Sequence, residues 1–231
     1  MIELGALGFM SLPVLFYLVT RKKVGLGMRI LLQQSLNSDR RTGEVSLMIY
    51  ILKNALLIQL AGFLLLAIDF IPRFGWKKGT WFSLFHAVSA FGNAGFDLFG
   101  DSLVGFQQNP WVLSIISGLI ISGGLGFLVW SDVLSYKRVR RISLHSKIAL
   151  IVTATLLIFG TLGFMLTEGN AASLAEGNVI HRFFNTIFMS VTPRTAGFFS
   201  VDYASMTNAG LLLTIILMFI GLSFLIGCFG M

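Results

Sequence analysis

The stretch Phe85-His86-Ala87-Val88-Ser89-Ala90-Phe91-Gly92-Asn93-Ala94-Gly95-Phe96 has a counterpart further along the chain, Phe188-Met189-Ser190-Val191-Thr192-Pro193-Arg194-Thr195-Ala196-Gly197-Phe198. Both read Phe-x-x-Val-(Ser/Thr), then two or three residues, then (Asn/Thr)-Ala-Gly-Phe, and an acidic residue follows each, Asp101 and Asp202. A single Ala-Gly turn is ordinary punctuation. Two in the same register, each closing an apolar stretch, are an internal repeat. The apolar stretches cover residues 79–91 and 179–191. Segments of about 10–14 apolar residues are too short to cross a bilayer and are typical of re-entrant segments.

Around these two stretches lie five longer apolar runs, residues 1–20, 46–71, 111–135, 147–167 and 209–231. Each approaches the ~20 residues that a crossing helix needs. Composition agrees. Of 231 residues, 55% are hydrophobic and only 12% charged. Soluble domains carry about 25% charged residues, so this chain lacks the polar surface of a water-soluble enzyme. Disorder is excluded by the same excess of apolar surface. Phe (22) and Gly (25) are abundant, as suits packed membrane helices. The lone cysteine, Cys228, rules out an internal disulfide or a Cys-based metal cluster. Residues 1–10 lack the basic start of a cleavable signal peptide.

The net charge of +7 is unevenly placed. Twelve of the seventeen Lys and Arg residues sit in or beside segments 21–45 and 136–146: Arg21, Lys22, Lys23, Arg29, Arg40, Arg41, Lys53, Lys137, Arg138, Arg140, Arg141 and Lys147. The positive-inside rule makes these segments cytoplasmic. They serve topology and lipid headgroups, or dock a cytosolic partner. Nucleic acid is a poor fit, because no soluble fold remains to present the patch. The other connections, residues 69–110 and 168–208, are outer and unusually apolar.

A second repeat pairs Gly5-Ala6-Leu7-Gly8-Phe9 with Gly123-Gly124-Leu125-Gly126-Phe127. The order is then span, re-entrant helix, Ala-Gly-Phe turn, span. Two spans and a re-entrant loop return the chain to its starting side, so the units are parallel and surround an axis along the membrane normal. A carrier built on inverted repeats is disfavoured for that reason. Irregular backbone at membrane depth survives only where protein or water covers it. A short helix ending at the axis turns its negative dipole end inward, and the loop after it can replace a cation's hydration shell with carbonyl oxygens. Gly95 and Gly197 suit such a loop, and Asn93 and Thr195 are placed to support it. No catalytic constellation is present. His86, His145 and His181 lie in separate segments without metal-ligand spacing. His86 and His181 read as packing residues of the short helices. Glu3 and Asp132 lie in or near spans, and Asp132 is expected to form an interfacial ion pair. Arg194 either buttresses the second turn or repels cations at its mouth.

The first quoted stretch resembles the second pore loop of the Trk/Ktr/HKT superfamily of potassium transporters, and Ser190 to Phe198 resembles its third. Thr192-Pro193-Arg194-Thr195-Ala196-Gly197-Phe198 is most similar to the KtrB branch. The resemblance implies an all-α membrane protein of parallel span–pore-loop–span repeats around a pseudo-four-fold pore axis, here with about five transmembrane helices and two re-entrant pore helices. Residues 1–45 would hold the last span of repeat one and a basic loop, 46–146 the complete repeat two, and 147–231 repeat three. It implies ion-binding filter residues Asn93, Ala94, Gly95, Phe96, Thr195, Ala196, Gly197 and Phe198, with His86 and Arg194 at the filter's support or mouth. It further implies potassium transport, sodium as a modulator in some Ktr systems, no cofactor in the chain, and a homodimer in a bacterial plasma membrane. Finally, Arg21, Lys22, Lys23, Arg40, Arg41, Lys137, Arg138, Arg140 and Arg141 resemble surfaces that meet a KtrA-like ring of nucleotide-binding regulatory subunits.

The chain also departs from the pattern. The first half of repeat one and all of repeat four are missing, and after Ser223 the run Phe224-Leu225-Ile226-Gly227-Cys228-Phe229-Gly230-Met231 replaces the expected glycine-serine string. The resemblance is expected to end there, as in a frameshifted, split or truncated product. The competing function is therefore a non-transporting membrane fragment.

Overall fold

The computed structural model describes residues 44–126, 129–130, 132–133, 143–168, 178–194 and 196–229. Residues 1–20, Glu3, the Gly5 to Phe9 motif, Phe127, Thr195 and the nine docking residues from Arg21 to Arg141 lie outside the described residues. Among the described residues the fold is all helical, without strands.

Six α-helices follow in order: α1 (Glu44–Phe74), α2 (Trp76–Phe91), α3 (Pro110–Gly124), α4 (Leu144–Glu168), α5 (Val179–Val191) and α6 (Asn208–Phe229). Short 3-10 turns, Val104–Phe106 and Tyr203–Ser205, precede α3 and α6. The stretch Leu52–Phe74 of α1 has a mean hydropathy of 2.1, and α4 has 2.3. At ~1.5 Å per residue they run about 35 and 37 Å, enough for a hydrocarbon core of ~30 Å. Helices α2 and α5, at about 24 and 20 Å, cannot cross it. Helix α5 has the bounds expected from sequence, and α2 begins three residues earlier than residue 79, at Trp76.

The run 111–135 is not one helix. Helix α3 stops at Gly124, and Gly126 stands at φ 75°, a left-handed conformation that breaks the ladder. Helical residues resume at Val129 and Trp130, where the Trp130 indole N–H donates back to the Ser122 carbonyl at 2.8 Å. Hydropathy ran smoothly across this break because Gly and Leu are both apolar.

Each unit has the same plan of long helix, short helix, turn and closing helix: α1–α2–α3 and α4–α5–α6. Within the units α1 packs on α2 and α4 on α5, and α3 packs against α5 to join them. One core serves both. Phe70 of α1, Ala87 and Ala90 of α2, Ile116 and Ile120 of α3, and Phe188, Val191 and Phe198 of the second unit are all buried in it. Phe70 lies 5.2 Å from Phe106 and 5.6 Å from Phe99 by ring centroid, inside an aromatic cluster under the first turn. A smaller cluster of Phe164, Met189, Val201, Met206 and Leu217 lies within the second unit. The outward faces are apolar too. Leu56, Leu60, Leu64 and Ile68 of α1, Ile151, Phe159 and Leu166 of α4, and Leu212, Ile215 and Phe219 of α6 are all exposed. Patches of that extent are not solvated by water, and they suit lipid or protein neighbours.

A paired tether orders the ends of the long helices that lead toward α2 and α5. The Asp69 carboxylate, at the end of α1, pairs with Arg73 at 2.9 Å and accepts from Asn109 Nδ2 at 2.9 Å. Asn109 Oδ1 in turn accepts from the N–H groups of Trp111 and Val112, capping α3. In the second unit Glu168, fully buried at the end of α4, accepts from the Thr207 N–H at 3.0 Å and from its hydroxyl. Thr207 Oγ1 accepts from the Gly210 N–H at 3.1 Å, in the first turn of α6. In both units, then, an acid ending the long helix holds the residue that caps the closing helix. The separations, 40 and 39 residues, are nearly equal.

Replacing Glu168 with Ala should therefore destabilise the second unit by about 1–3 kcal/mol, because the half-buried Thr207 donors lose their acceptor. Replacing Asn109 with Ala should cost about 1 kcal/mol through the lost cap. Thermal unfolding of the purified chain in detergent measures both.

Candidate functional site

The site forms where α2 and α5 end. At the close of α2, the Gly92 N–H donates to Val88 O, the Asn93 N–H to Ala90 O and the Ala94 N–H to Ser89 O, at 2.9, 3.2 and 2.9 Å. The Ser89 hydroxyl donates forward to Phe96 O at 2.7 Å, so one serine holds both ends of the turn. At the close of α5, the Thr192 N–H donates to Phe188 O, the Arg194 N–H to Val191 O and the Ala196 N–H to Thr192 O, at 2.9, 3.2 and 3.1 Å. The corresponding alanines thus return to the corresponding Ser and Thr carbonyls, although the first loop is one residue longer.

Gly95 and Gly197 then adopt φ values of 69° and 77°. L-residues rarely occupy that region. The two glycines also meet. A Cβ on Gly95 would lie 2.8 Å from Gly197 Cα and 2.8 Å from Ala196 O, and a Cβ on Gly197 would lie 3.0 Å from Gly95 Cα. The contact is backbone on backbone, at the C-terminal ends of two short helices.

The flanking residues differ between turns. Phe96 is 60% exposed, whereas Phe198 is fully buried and belongs to the shared core. Ala196 is buried, Ala94 and Asn93 are half-buried, and Asn93 has φ 47°. Thr195 lies outside the described residues. His86 sits behind the turns, away from any opening. It is fully buried, its Nδ1–H donates to Phe82 O at 2.7 Å, and its ring stacks on Phe99 at 4.5 Å. It lies 6.3 Å from the Phe198 ring and so backs the second turn through that residue. Arg194 reaches across to α4, where Nη2 donates to Thr153 O at 3.0 Å. Helix α6 presses on it from the other side: a Cβ on Gly221 would lie 3.3 Å from Arg194 Cα. Arg194 therefore links α4, α5 and α6, which is the geometry of a buttress.

Asp132, read from sequence as an ion-pair partner, accepts among the described residues from Ser143, through N–H and hydroxyl, and from the Ser146 hydroxyl at 2.6 Å, and the basic residues Lys137 to Arg141 lie outside the described residues. Serine donors at the start of α4 satisfy the carboxylate there. Asp202 caps the Tyr203–Ser205 turn through the Ala204 N–H at 3.0 Å. In the first unit the Val104–Phe106 turn has no side-chain cap among the described residues, and Asp97 instead accepts from the Gly100 and Ser102 N–H groups ahead of it. Sequence alone missed Asn185, a buried residue whose Nδ2 donates to Gln107 O at 2.7 Å and so ties α5 to the first unit. Asn within an apolar helix was the available signal. No group of three or more His, Cys, Asp or Glu suited to a metal occurs among the described residues.

Gly123 explains the glycine pair of α3. A Cβ there would collide with the Phe91 carbonyl, the last residue of α2, so the missing side chain lets α3 close on the first turn. Replacing Gly123 with Ala should lower stability by about 1–3 kcal/mol, since backbone cannot yield as a side chain does. Replacing Gly118, which has open space around its Cβ position, should leave stability unchanged or raise it by up to ~1 kcal/mol. Parallel thermal melts of the two variants provide the comparison.

The class of protein defined by these features is, among the described residues, an all-helical one with two helices long and apolar enough to cross a membrane. Residues 1–227 match the family described as TrkH, cation transport protein, and the chain belongs to that family. Among curated proteins it is 56% identical, over 96% of its length, to the potassium/sodium uptake protein NtpJ of Enterococcus hirae. It is 39% and 37% identical, again over 96% of its length, to the Ktr system potassium uptake proteins B of Bacillus subtilis and Vibrio alginolyticus. Its type within the Trk/Ktr/HKT superfamily is KtrB. The chain spans 49%, 50% and 49% of those three relatives, about half their length. The family match continues to residue 227, so residues 224–227 fall inside it, past the Ser223 boundary expected from sequence. Helix α6 likewise continues to Phe229.

Proposed function

We propose that this chain contributes two strands of a potassium-selective filter to a Ktr-type uptake transporter. What carries the reading is the contact between Gly95 and Gly197, both at positive φ, each at the end of a short helix. The negative dipole ends of α2 and α5 face the place where a cation would sit. Carbonyl oxygens after those ends would replace its hydration shell without a charged side chain. The filter strands are Asn93 to Phe96 and Thr195 to Phe198, in two pore-loop repeats related by an axis along the membrane normal. His86 and Arg194 hold the strands from behind, and neither coordinates the ion. Other segments complete the four-fold ring.

The names of the relatives, potassium uptake and potassium/sodium uptake, support potassium as the transported ion and sodium as a modulator. The name Ktr system supports membership of a multi-subunit assembly. In that assembly the protein is a homodimer in a bacterial plasma membrane. Its basic loops are cytoplasmic, and they dock a nucleotide-binding ring.

The experiment is uptake at low external potassium in a bacterium whose own uptake systems are deleted, with the chain expressed from its native locus. Gly95→Ala and Gly197→Ala should each lower the preference for potassium over sodium about tenfold or more, equivalent to ~1.4 kcal/mol, with membrane levels unchanged. Unchanged preference in both variants would remove the filter assignment.

A further inference from the structure

Past the glycine turns, each unit's backbone continues toward the other. Asp97, two residues after Gly95, accepts through Oδ2 from the backbone N–H of Gly100 at 3.0 Å and of Ser102 at 2.7 Å. That bend holds buried Ser102 at φ 55°, an uncommon conformation for a residue with a Cβ. The Ser102 hydroxyl accepts from the Phe199 N–H at 3.0 Å, and the neighbouring Leu103 N–H donates to the Phe199 carbonyl at 2.9 Å. Phe199 stands two residues after Gly197. Both backbone groups of Phe199 are therefore engaged by the first unit. Leu103 is fully buried in the shared core, so the engagement has a firm base. Strained residues held this way persist where the surrounding structure over-determines them, and they cluster at functional sites.

We propose that Asp97 and Ser102 are positioning residues that fix the separation of the two glycine turns and thereby set the cation preference of the filter. The proposal rests on the filter reading of Gly95 and Gly197. Neither residue touches the ion: Asp97 Oδ2 is occupied by two backbone donors, and the Ser102 hydroxyl faces Phe199. A ring of carbonyls distinguishes cations by how closely and how stiffly its oxygens are held. A clamp two residues beyond each glycine controls both.

Two measurements on Ser102→Gly and Asp97→Ala test this. Hydrogen exchange of the purified chain in detergent reads the clamp directly. The Phe199 amide should exchange at least about fivefold faster in each variant, as expected for loss of one hydrogen bond, while α4 and α6 amides keep their rates. Unchanged exchange at Phe199 in both variants overturns the clamp. The second measurement is competitive potassium and sodium uptake with each variant at the native locus, where whatever completes the pore is present. Preference for potassium should fall at least about fivefold, with membrane levels unchanged. A fall in total uptake with preference within about twofold of the unsubstituted protein would reduce both residues to structural roles and overturn the proposal. Asp97→Asn keeps an acceptor oxygen and should retain the preference, which guards against a misfolded Ala variant. Failure of the filter reading is separately visible, because Gly95→Ala and Gly197→Ala would then leave preference unchanged whatever the exchange rates show.

Discussion

Two backbones can touch at Gly95 and Gly197 because neither carries a Cβ and both tolerate positive φ. Much of the surrounding structure is arranged to bring those two atoms together. Helices α2 and α5 are too short to cross the hydrocarbon, and the turn that follows each is backbone without ladder partners. The Ser89 hydroxyl on Phe96 O, and the Ala94 and Ala196 amides on their helix-terminal carbonyls, satisfy part of that backbone internally. Placing two such turns against one another covers part of each.

Support for the contact comes from three directions. Beneath the first turn, Phe70, Phe99, Phe106 and His86 form a packed aromatic base that also reaches Phe198 of the second. From the side, Gly123 lets α3 approach the Phe91 carbonyl, and Arg194 ties the second turn to α4. At the starts of the closing helices, Asp69 and Glu168 hold the caps of α3 and α6. Buried polar groups are costly unless paired, so these bonds fix register in a core that apolar contacts alone would leave free to slide.

Membership of the TrkH family and a KtrB-type sequence give this geometry its setting. The family transports cations. In this chain the chemistry available at the glycine turns is oxygen from the main chain rather than from acidic side chains. The first unit and the second are alike in plan and unlike in detail: Phe96 is exposed where Phe198 is buried, and Asp97 bends one loop where Asp202 caps the 3-10 turn of the other. The two turns are alike at the backbone and differ in the side chains that hold them.

The membrane class, the two short helices and the glycine pair were legible in the residues, because apolar run length and a duplicated Ala-Gly-Phe string depend only on local order. The end of α5 at Val191 was readable for the same reason. The break at Gly126 was not, since an apolar glycine leaves no mark on hydropathy. The tethers from Asp69 to Asn109 and from Glu168 to Thr207, and the reach of Ser102 to Phe199, join residues 40, 39 and 97 positions apart. Such pairs are chosen by how helices pack, and packing is a property of the whole chain. Sequence by itself determined which backbone positions had to be glycine. Tertiary structure alone decided that those positions would meet, because contact between two turns needs a shared core to hold both at once.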